Sequence, residues 1–204
     1  MTTTMRTTTG SVTPPVGGAA TTTTGADEEP RAQRAARYVA AAIRISLAWV
    51  FLWAFLDKAF ALGHDTGVNA KTGATDYFGS AAWIHGGSPT AGFLGFATKG
   101  PLAAFYSNLA GNVVVDWIFM LGLLGIGVAL LLGIGMRIAA VSGAAMLIMM
   151  WSAVLPPANN PFMDDHIVYA LVLGLLALIG AGRTLGLGKA WEKIPFVANH
   201  GFLK

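Results

Sequence analysis

Four apolar segments dominate the hydrophobic pattern of the chain, and polar stretches separate them. They cover about residues 38–62, 113–133, 138–155 and 164–181. An α-helix needs about 20 predominantly apolar residues to cross the hydrocarbon core of a bilayer. The pattern therefore predicts an all-α integral membrane protein in which four transmembrane helices form a bundle.

The polar parts of the chain divide into two tails and one long loop. Residues 1–35 are rich in Thr and lack apolar periodicity, which predicts a disordered tail before a membrane domain over residues 36–185. Residues 186–204 form the second predicted tail. The interval 63–112 is too long for a plain connection. Its apolar segments at about 77–84, 91–96 and 102–109 are too short to span, so they predict interfacial helices in a long external loop.

The distribution of basic residues predicts the orientation in the membrane. Of the 13 Lys and Arg residues, only Lys58, Lys71 and Lys99 fall on the side of the long loop. Cytoplasmic segments of membrane proteins carry an excess of Lys and Arg. Both termini are therefore expected in the cytoplasm, and the polypeptide is expected to be multi-pass.

Composition supports the membrane assignment and excludes several kinds of chemistry. Hydrophobic residues make up 54% of the chain and charged residues 11%, and the mean hydropathy is +0.60. The net charge of +3 comes from basic residues beside apolar spans, so the expected partner is the lipid bilayer and not nucleic acid. The sequence has no cysteine, which excludes disulfides, thiolate metal sites and a cysteine nucleophile.

The first span carries charged residues where they are costly. At about 100° per residue, Trp49, Trp53 and Asp57 share one stripe of the helix, and Lys58 follows. An isolated Asp or Lys near the centre of a span costs roughly 2.5–3.5 kcal/mol. Two interpretations stay open: the pair marks the lipid boundary with Lys58 extending outward, or Asp57 serves a proton or substrate in a pocket between helices.

Two further spans bring charged groups to the same external level. Asp116 and Trp117 lie near the start of the second span, and Asp165, His166 and Tyr169 lie near the start of the fourth. Acids also suit a helix start because of the helix dipole, so a purely structural role for Asp165 stays open. If the groups converge, they predict a quinone pocket, which needs aromatic walls and a proton donor or acceptor.

The predicted site residues fall into two groups. Proton transfer is assigned to Asp57, Asp116, Asp165 and His166, and quinone or substrate binding is assigned to Trp49, Trp53, Lys58, Trp117 and Tyr169. Quinone is expected as a substrate, with no covalently bound cofactor. No pair of residues has zinc-motif spacing, so no metal site is predicted.

Several segments in order resemble one family. The chain is similar over about residues 37–191 to the DoxX/DoxD family of small four-helix membrane proteins, and within it to the large-subunit type of thiosulfate:quinone oxidoreductase. The similarity rests on RISLAWVFLWAFLDKAF, WIHGGSPTAGFL, TKGPLAAFY, DWIFMLGLLGIGVALLLGIGMR and NPFMDDHIVYAL. The resemblance implies a subunit of the bacterial plasma membrane that passes electrons from thiosulfate to quinone and joins the thiosulfates as tetrathionate. It also implies a second, small protein subunit.

The sequence leaves other functions open, and it does not decide whether the chain is itself a thiosulfate dehydrogenase (quinone) subunit. One alternative is a noncatalytic anchor or assembly subunit whose four helices dock redox partners, with the external charges forming interhelical pairs. Another is a small transporter, since buried acids also relay ions. Self-association into a homo-oligomer is equally open.

Overall fold

In the computed structural model, residues 30–69 and 71–204 are described. Over this part of the chain the structure is helical, with one isolated β-bridge between Val68 and Thr75. The helices are α1 (Arg31–Phe60), α2 (Ala103–Ser107), α3 (Val113–Leu132), α4 (Met136–Ala153), α5 (Asp165–Leu178), α6 (Gly188–Trp191) and α7 (Pro195–Asn199). The predicted all-helical architecture is confirmed over these residues.

Three helices, α1, α3 and α4, are long and apolar enough to cross a membrane. The helix α5 is apolar but has 14 residues, so its length is about 21 Å at 1.5 Å per residue. The hydrocarbon core of a bilayer is about 30 Å thick. The prediction of a helical membrane protein is confirmed, and the crossing by α5 stays a prediction.

The helices α1, α3, α4 and α5 lie side by side around one apolar core. Glycines set the closest approaches: a methyl group at Gly127 of α3 would lie 2.7 Å from Leu52 Cγ of α1, and one at Gly143 of α4 would lie 2.8 Å from Leu173 Cδ1 of α5. Small residues at such contacts are typical of helix packing in membranes. The buried core includes Ala48, Phe51, Met120, Leu123, Ile126, Leu130, Ala140, Leu147, Leu173 and Leu176.

One end of the bundle is organised around Arg44 of α1, and we call it the Arg44 end. The side chain is fully buried. Its Nη1 donates to the carbonyl oxygens of Leu130 and Leu131 at the end of α3, and its Nη2 donates to Thr184 and Leu185 after α5. The last carbonyls of a helix lack intrahelical partners and carry partial negative charge, so a buried cation suits this position.

The segments predicted as tails contain helices where the structure describes them. Most of the predicted tail 1–35 lies outside the described residues, but α1 already begins at Arg31, ahead of the predicted span. The sequence RAQRAAR after Pro30 consists of strong helix formers. At the other terminus, the predicted tail 186–204 contains α6 and α7. Trp191 Nε1 donates to Leu203 O at 2.6 Å, and Arg137 N of α4 donates to Lys204 O at 3.0 Å.

The long loop between α1 and α3 contains short helical turns, as predicted. A 3-10 turn covers Trp83–His85, a π-helical turn covers Phe93–Ala97, and another 3-10 turn at Gly100–Leu102 leads into α2. The predicted segment at 77–84 is mostly irregular and becomes helical only at Trp83. The loop lies at the end of the bundle that contains Asp57, which we call the Asp57 end.

Candidate functional site

Asp57 holds the start of the long loop against α1. The carboxylate is buried, with 2% of the residue exposed. Its Oδ1 accepts a hydrogen bond from His64 N at 3.1 Å, and its Oδ2 accepts from Asp65 N at 3.1 Å and Thr66 N at 3.0 Å. Hydrogen bonds from backbone N–H groups to a carboxylate are stronger than those between neutral groups. Asp57 thus fixes the path of the chain where it leaves α1.

Asp116 performs the same task for the later part of the loop. Its Oδ1 accepts from Thr90 Oγ1 at 2.6 Å, from Thr90 N at 3.1 Å and from Ser88 Oγ at 3.0 Å. Both Asp116 and Thr90 are buried, and Thr90 Oγ1 also accepts from Gly111 N at 3.3 Å. The segment Ser88–Thr90 is therefore fixed to α3.

With the loop fixed at these two points, a cavity of about 770 Å³ is left between it and the helix bundle. We call it the Lys58 cavity. All four long helices contribute to its wall, through residues such as Phe51, Phe119, Leu147 and Tyr169. Its volume lies within the about 300–1,000 Å³ that small-molecule sites occupy.

The polar side of the Lys58 cavity combines a cation with an imidazole. The Lys58 side chain is 14% exposed, and its Nζ lies 3.8 Å from Asp65 Oδ2, whose side chain is 86% exposed. His166 Nδ1 lies 2.9 Å from Asp164 Oδ2 and 3.5 Å from Asp165 Oδ1. Since a carboxylate only accepts, Nδ1 carries the proton of the shorter bond. Nε2 then remains the ring nitrogen available to a ligand.

The start of α5 explains why His166 is held in this way. Asp164 is the N-cap of α5, and its Oδ1 accepts from His166 N at 3.1 Å. The other oxygen, Oδ2, is then directed to the imidazole of the same residue. The dipole at a helix N-terminus favours both acids. The predicted structural role for acids at this helix start and the predicted imidazole site therefore coexist.

A second pocket adjoins the apolar side of the Lys58 cavity. This pocket has a volume of about 130 Å³ and is lined almost entirely by apolar side chains of α3, α4 and the loop. It shares four lining residues with the Lys58 cavity: Pro89, Phe93, Phe119 and Met150. Together, the two spaces place Lys58 and His166 on one side of a largely apolar chamber, beside a second apolar pocket.

The structure brings some of the predicted site residues together and separates others. Lys58, Asp165, His166 and Tyr169 line the Lys58 cavity. Asp57 and Asp116 are close in sequence to cavity residues, but their oxygens bind the loop and they are not among the residues lining the cavity. The sequence left open whether the charged groups converge; Asp165 and His166 share the cavity with Lys58, whereas Asp57 and Asp116 bind the loop.

The predicted aromatic wall has a different composition from the one observed. Trp49 is 57% exposed and Trp117 is 51% exposed, and neither they nor Trp53 line the Lys58 cavity. Trp53 packs on Trp49 and His64, with ring centroids 5.8 Å and 5.0 Å apart. The aromatic residues that do line the cavity, beside Tyr169, are Phe51, Phe93 and Phe119. Phe51 sits two residues after Trp49, on a different face of α1, and no motif distinguished it.

Asp164, Asp165 and His166 also bring possible ligand atoms within 4.8 Å of one another. These residues are consecutive, Asp164 caps the helix and binds the imidazole, and Asp165 is exposed. The internal hydrogen bonds account for this cluster, and we assign no metal to it.

The fold and the cavity define the chain as a helical membrane protein with a ligand-sized chamber at one end of its bundle. Comparison with family models, with curated proteins and with solved structures gives no match. The resemblance to the DoxX/DoxD family therefore stays a prediction, and functional inference rests on the residues of the site.

Proposed function

We propose that the chain is the membrane subunit of a quinone-linked oxidoreductase and that the Lys58 cavity binds the quinone. The observation that carries this proposal is a largely apolar chamber with Lys58 and His166 on its polar side, beside an apolar pocket near Phe93 and Met150. A membrane quinone has the same division, with two carbonyl oxygens on a flat ring and an apolar tail. The site would hold the ring at the Asp57 end and the tail between α3 and α4.

The chemistry assigned to the chain is proton delivery to a quinone carbonyl oxygen. Reduction of a quinone to a quinol consumes two electrons and two protons. In this proposal His166 takes the two protons in turn from external water and passes each to a carbonyl oxygen, Asp164 and Asp165 position its ring, and Lys58 binds the developing negative charge on oxygen. Asp57 and Asp116 act by positioning the loop that closes the chamber.

The electron donor follows from the family resemblance and not from the cavity. Two thiosulfate dianions would lose two electrons as a sulfur–sulfur bond joins them, and the quinone would accept both electrons. The proposal includes a second protein subunit, four membrane spans, cytoplasmic termini and a bacterial plasma membrane. Thiosulfate is a dianion, so the Lys58 ammonium would favour its approach while Asp65 and Asp165 would oppose it.

The test measures quinone binding and turnover separately, in purified protein with its native partners. His166→Asn removes the proton donor from the cavity and should lower thiosulfate-dependent reduction of a short-chain quinone by about a hundredfold or more. His85→Asn is the matched control, because His85 is exposed and its Nδ1 lies near Gly79 O in the loop; its turnover should be unchanged. Lys58→Gln should weaken quinone binding, whereas Lys99→Gln on the exposed loop should not.

A second candidate function is a noncatalytic anchor for redox partners, in which Asp57 and Asp116 serve only as structural residues. Both buried acids have oxygens occupied by loop hydrogen bonds, as expected for structural residues. Stable recovery of a partner chain, with neither quinone binding nor turnover in the native protein, would favour the anchor. Quinone binding that His166→Asn and Lys58→Gln leave intact would remove the proposed site.

A further inference from the structure

A second site lies at the Arg44 end, opposite the Lys58 cavity. A pocket of about 250 Å³ is bounded by the turn between α3 and α4, the end of α5 and the segment after it. Three cationic side chains line it, those of Arg137, Arg183 and Lys204, against one carboxylate, that of Glu192. We call it the Arg137 pocket.

The carboxylate in the Arg137 pocket is already paired. Glu192 accepts from Arg183 Nε at 2.9 Å and from Arg183 Nη2 at 2.6 Å. These hydrogen bonds, with smaller contributions from the charges of Lys204 and Arg137, hold the pKa of Glu192 below its usual value. Glu192 therefore stays ionised and offsets Arg183, which leaves the charge of Arg137 in excess in the pocket.

Arg137 retains hydrogen-bonding capacity. Its Nη1 donates to Gly201 O at 2.7 Å. A guanidinium carries five N–H donors in a planar arrangement. The remaining donors can bind the oxygens of a phosphate group, which is the geometry that Arg recognises best.

An apolar groove adjoins the Arg137 pocket. It has a volume of about 370 Å³ and runs between α3 and α4 along residues such as Gly122, Gly125 and Ile138. A methyl group added at Gly125 would meet nothing within 4 Å, so the groove is open beside this residue. The groove and the pocket share Gly135 and Trp191, so the two spaces lie next to each other. We call it the Gly125 groove.

We propose that the Arg137 pocket and the Gly125 groove together bind one anionic phospholipid. The phosphate binds Arg137 and Lys204 in the pocket, and one acyl chain lies in the groove along α3 and α4. Charge complementarity selects an anionic headgroup, and the apolar groove on two membrane-spanning helices selects a lipid over a free phosphate. Trp191 lies where pocket and groove meet, a position between headgroup and hydrocarbon that indoles favour. This site is independent of the proposed quinone function.

The experiment compares two lipids with identical acyl chains on the purified full-length chain in detergent. Native mass spectrometry would measure retention of phosphatidylglycerol, which is anionic, and of phosphatidylcholine, which is zwitterionic. Phosphatidylglycerol should be retained preferentially. Arg137→Gln should weaken its apparent affinity by about fivefold, the effect of one cation near a membrane surface, and Lys71→Gln on the distant loop should leave it unchanged.

A second variant tests the groove without touching a charge. Gly125→Leu places a side chain in the open space and should reduce phosphatidylglycerol retention even though Arg137 is intact. The leucine also suits a helix better than glycine, so the thermal midpoint without added lipid should not fall. Inorganic phosphate is the remaining probe and should compete only weakly.

Three results would overturn the proposal. Equal retention of the two lipids would show that the pocket does not select charge. Unchanged retention in both Arg137→Gln and Gly125→Leu would place the lipid elsewhere. Strong competition by inorganic phosphate, with retention insensitive to Gly125→Leu, would identify a site for free phosphate instead.

Discussion

Asp57 and Asp116 are buried carboxylates, and neither depends on a cation for its hydrogen bonds. Asp57 accepts from three backbone N–H groups, and Asp116 accepts from one backbone N–H group and two hydroxyls. Removing an ionised carboxylate from water without such partners is costly enough that the group would normally bind a proton instead. The loop thus stabilises the charges, and the charges in turn hold the loop.

The substitution Asp57→Asn tests this mutual dependence at the residue scale. The amide is neutral and presents an NH2 group to backbone donors, so the protein should lose about 2–3 kcal/mol of stability. The measurement is the thermal midpoint in detergent, together with proteolysis of the segment 61–66, which should become faster.

Asp65→Asn is the matched control for Asp57→Asn. The Asp65 side chain is 86% exposed and lies 3.8 Å from Lys58 Nζ, so its loss should change stability by less than about 1 kcal/mol. Equal destabilisation by the two variants would contradict the assignment of Asp57 as the anchor.

Some of these residues could be predicted from sequence, and the limit has a physical cause. Periodicity placed Trp49, Trp53 and Asp57 on one stripe, and the two rings do pack together. The partners of Asp57 are backbone N–H groups, which every residue but proline carries, so no side-chain pattern reveals them. The same limit hid Thr90 and the cavity wall at Phe119, whose positions depend on how the loop folds back.

At the scale of elements, Arg44 joins three parts of the bundle. It belongs to α1, and its donors reach the last carbonyls of α3 and the chain after α5. From sequence alone it counts as one of several basic residues on the cytoplasmic side. Its complete burial shows instead that it positions helix ends, a role that follows from the planar, multi-donor shape of guanidinium.

Arg44→Lys should therefore destabilise the protein although it keeps the charge. One ammonium group cannot reach all four carbonyl oxygens that Arg44 binds, so we expect a loss of about 3 kcal/mol. The thermal midpoint in detergent measures it. Arg34→Lys, on the exposed first part of the same helix, is the control and should change stability by no more than about 0.5 kcal/mol. If the two variants have the same thermal midpoint, Arg44 does not hold the helix ends.

At the scale of the whole molecule, α5 brings the chain back to the Arg44 end. Gly182, just after α5, lies beside Gly133 at the end of α3: a methyl group at Gly133 would be 2.7 Å from Gly182 O. With 14 residues, α5 is shorter than the helices that are long enough to cross a membrane. The helix α5 starts beside the Lys58 cavity, at the Asp57 end, and Gly182 after it lies at the Arg44 end. Because α3 joins the same two ends of the bundle, this placement favours a crossing by α5.

Thiol labelling would decide the topology, and the sequence offers a clean background because it has no cysteine. Thr72→Cys, in the long loop, should react with a membrane-impermeant maleimide in intact cells. Lys189→Cys, after α5, should react only once the membrane is permeabilised. Both positions are exposed, so access alone would not separate them. Labelling of both in intact cells would mean that α5 does not cross.

The positions of their partners in the sequence determine when each buried charge can form its hydrogen bonds during synthesis. Asp57 binds residues seven to nine positions later in the chain, so it can be satisfied soon after α1 leaves the translocon. Asp116 binds Ser88 and Thr90, which are made before it. Arg44 binds carbonyls 86 to 141 positions away. We therefore expect the Arg44 guanidinium of nascent α1 to stay among the lipid headgroups until the chain has been made through Leu185, just after α5.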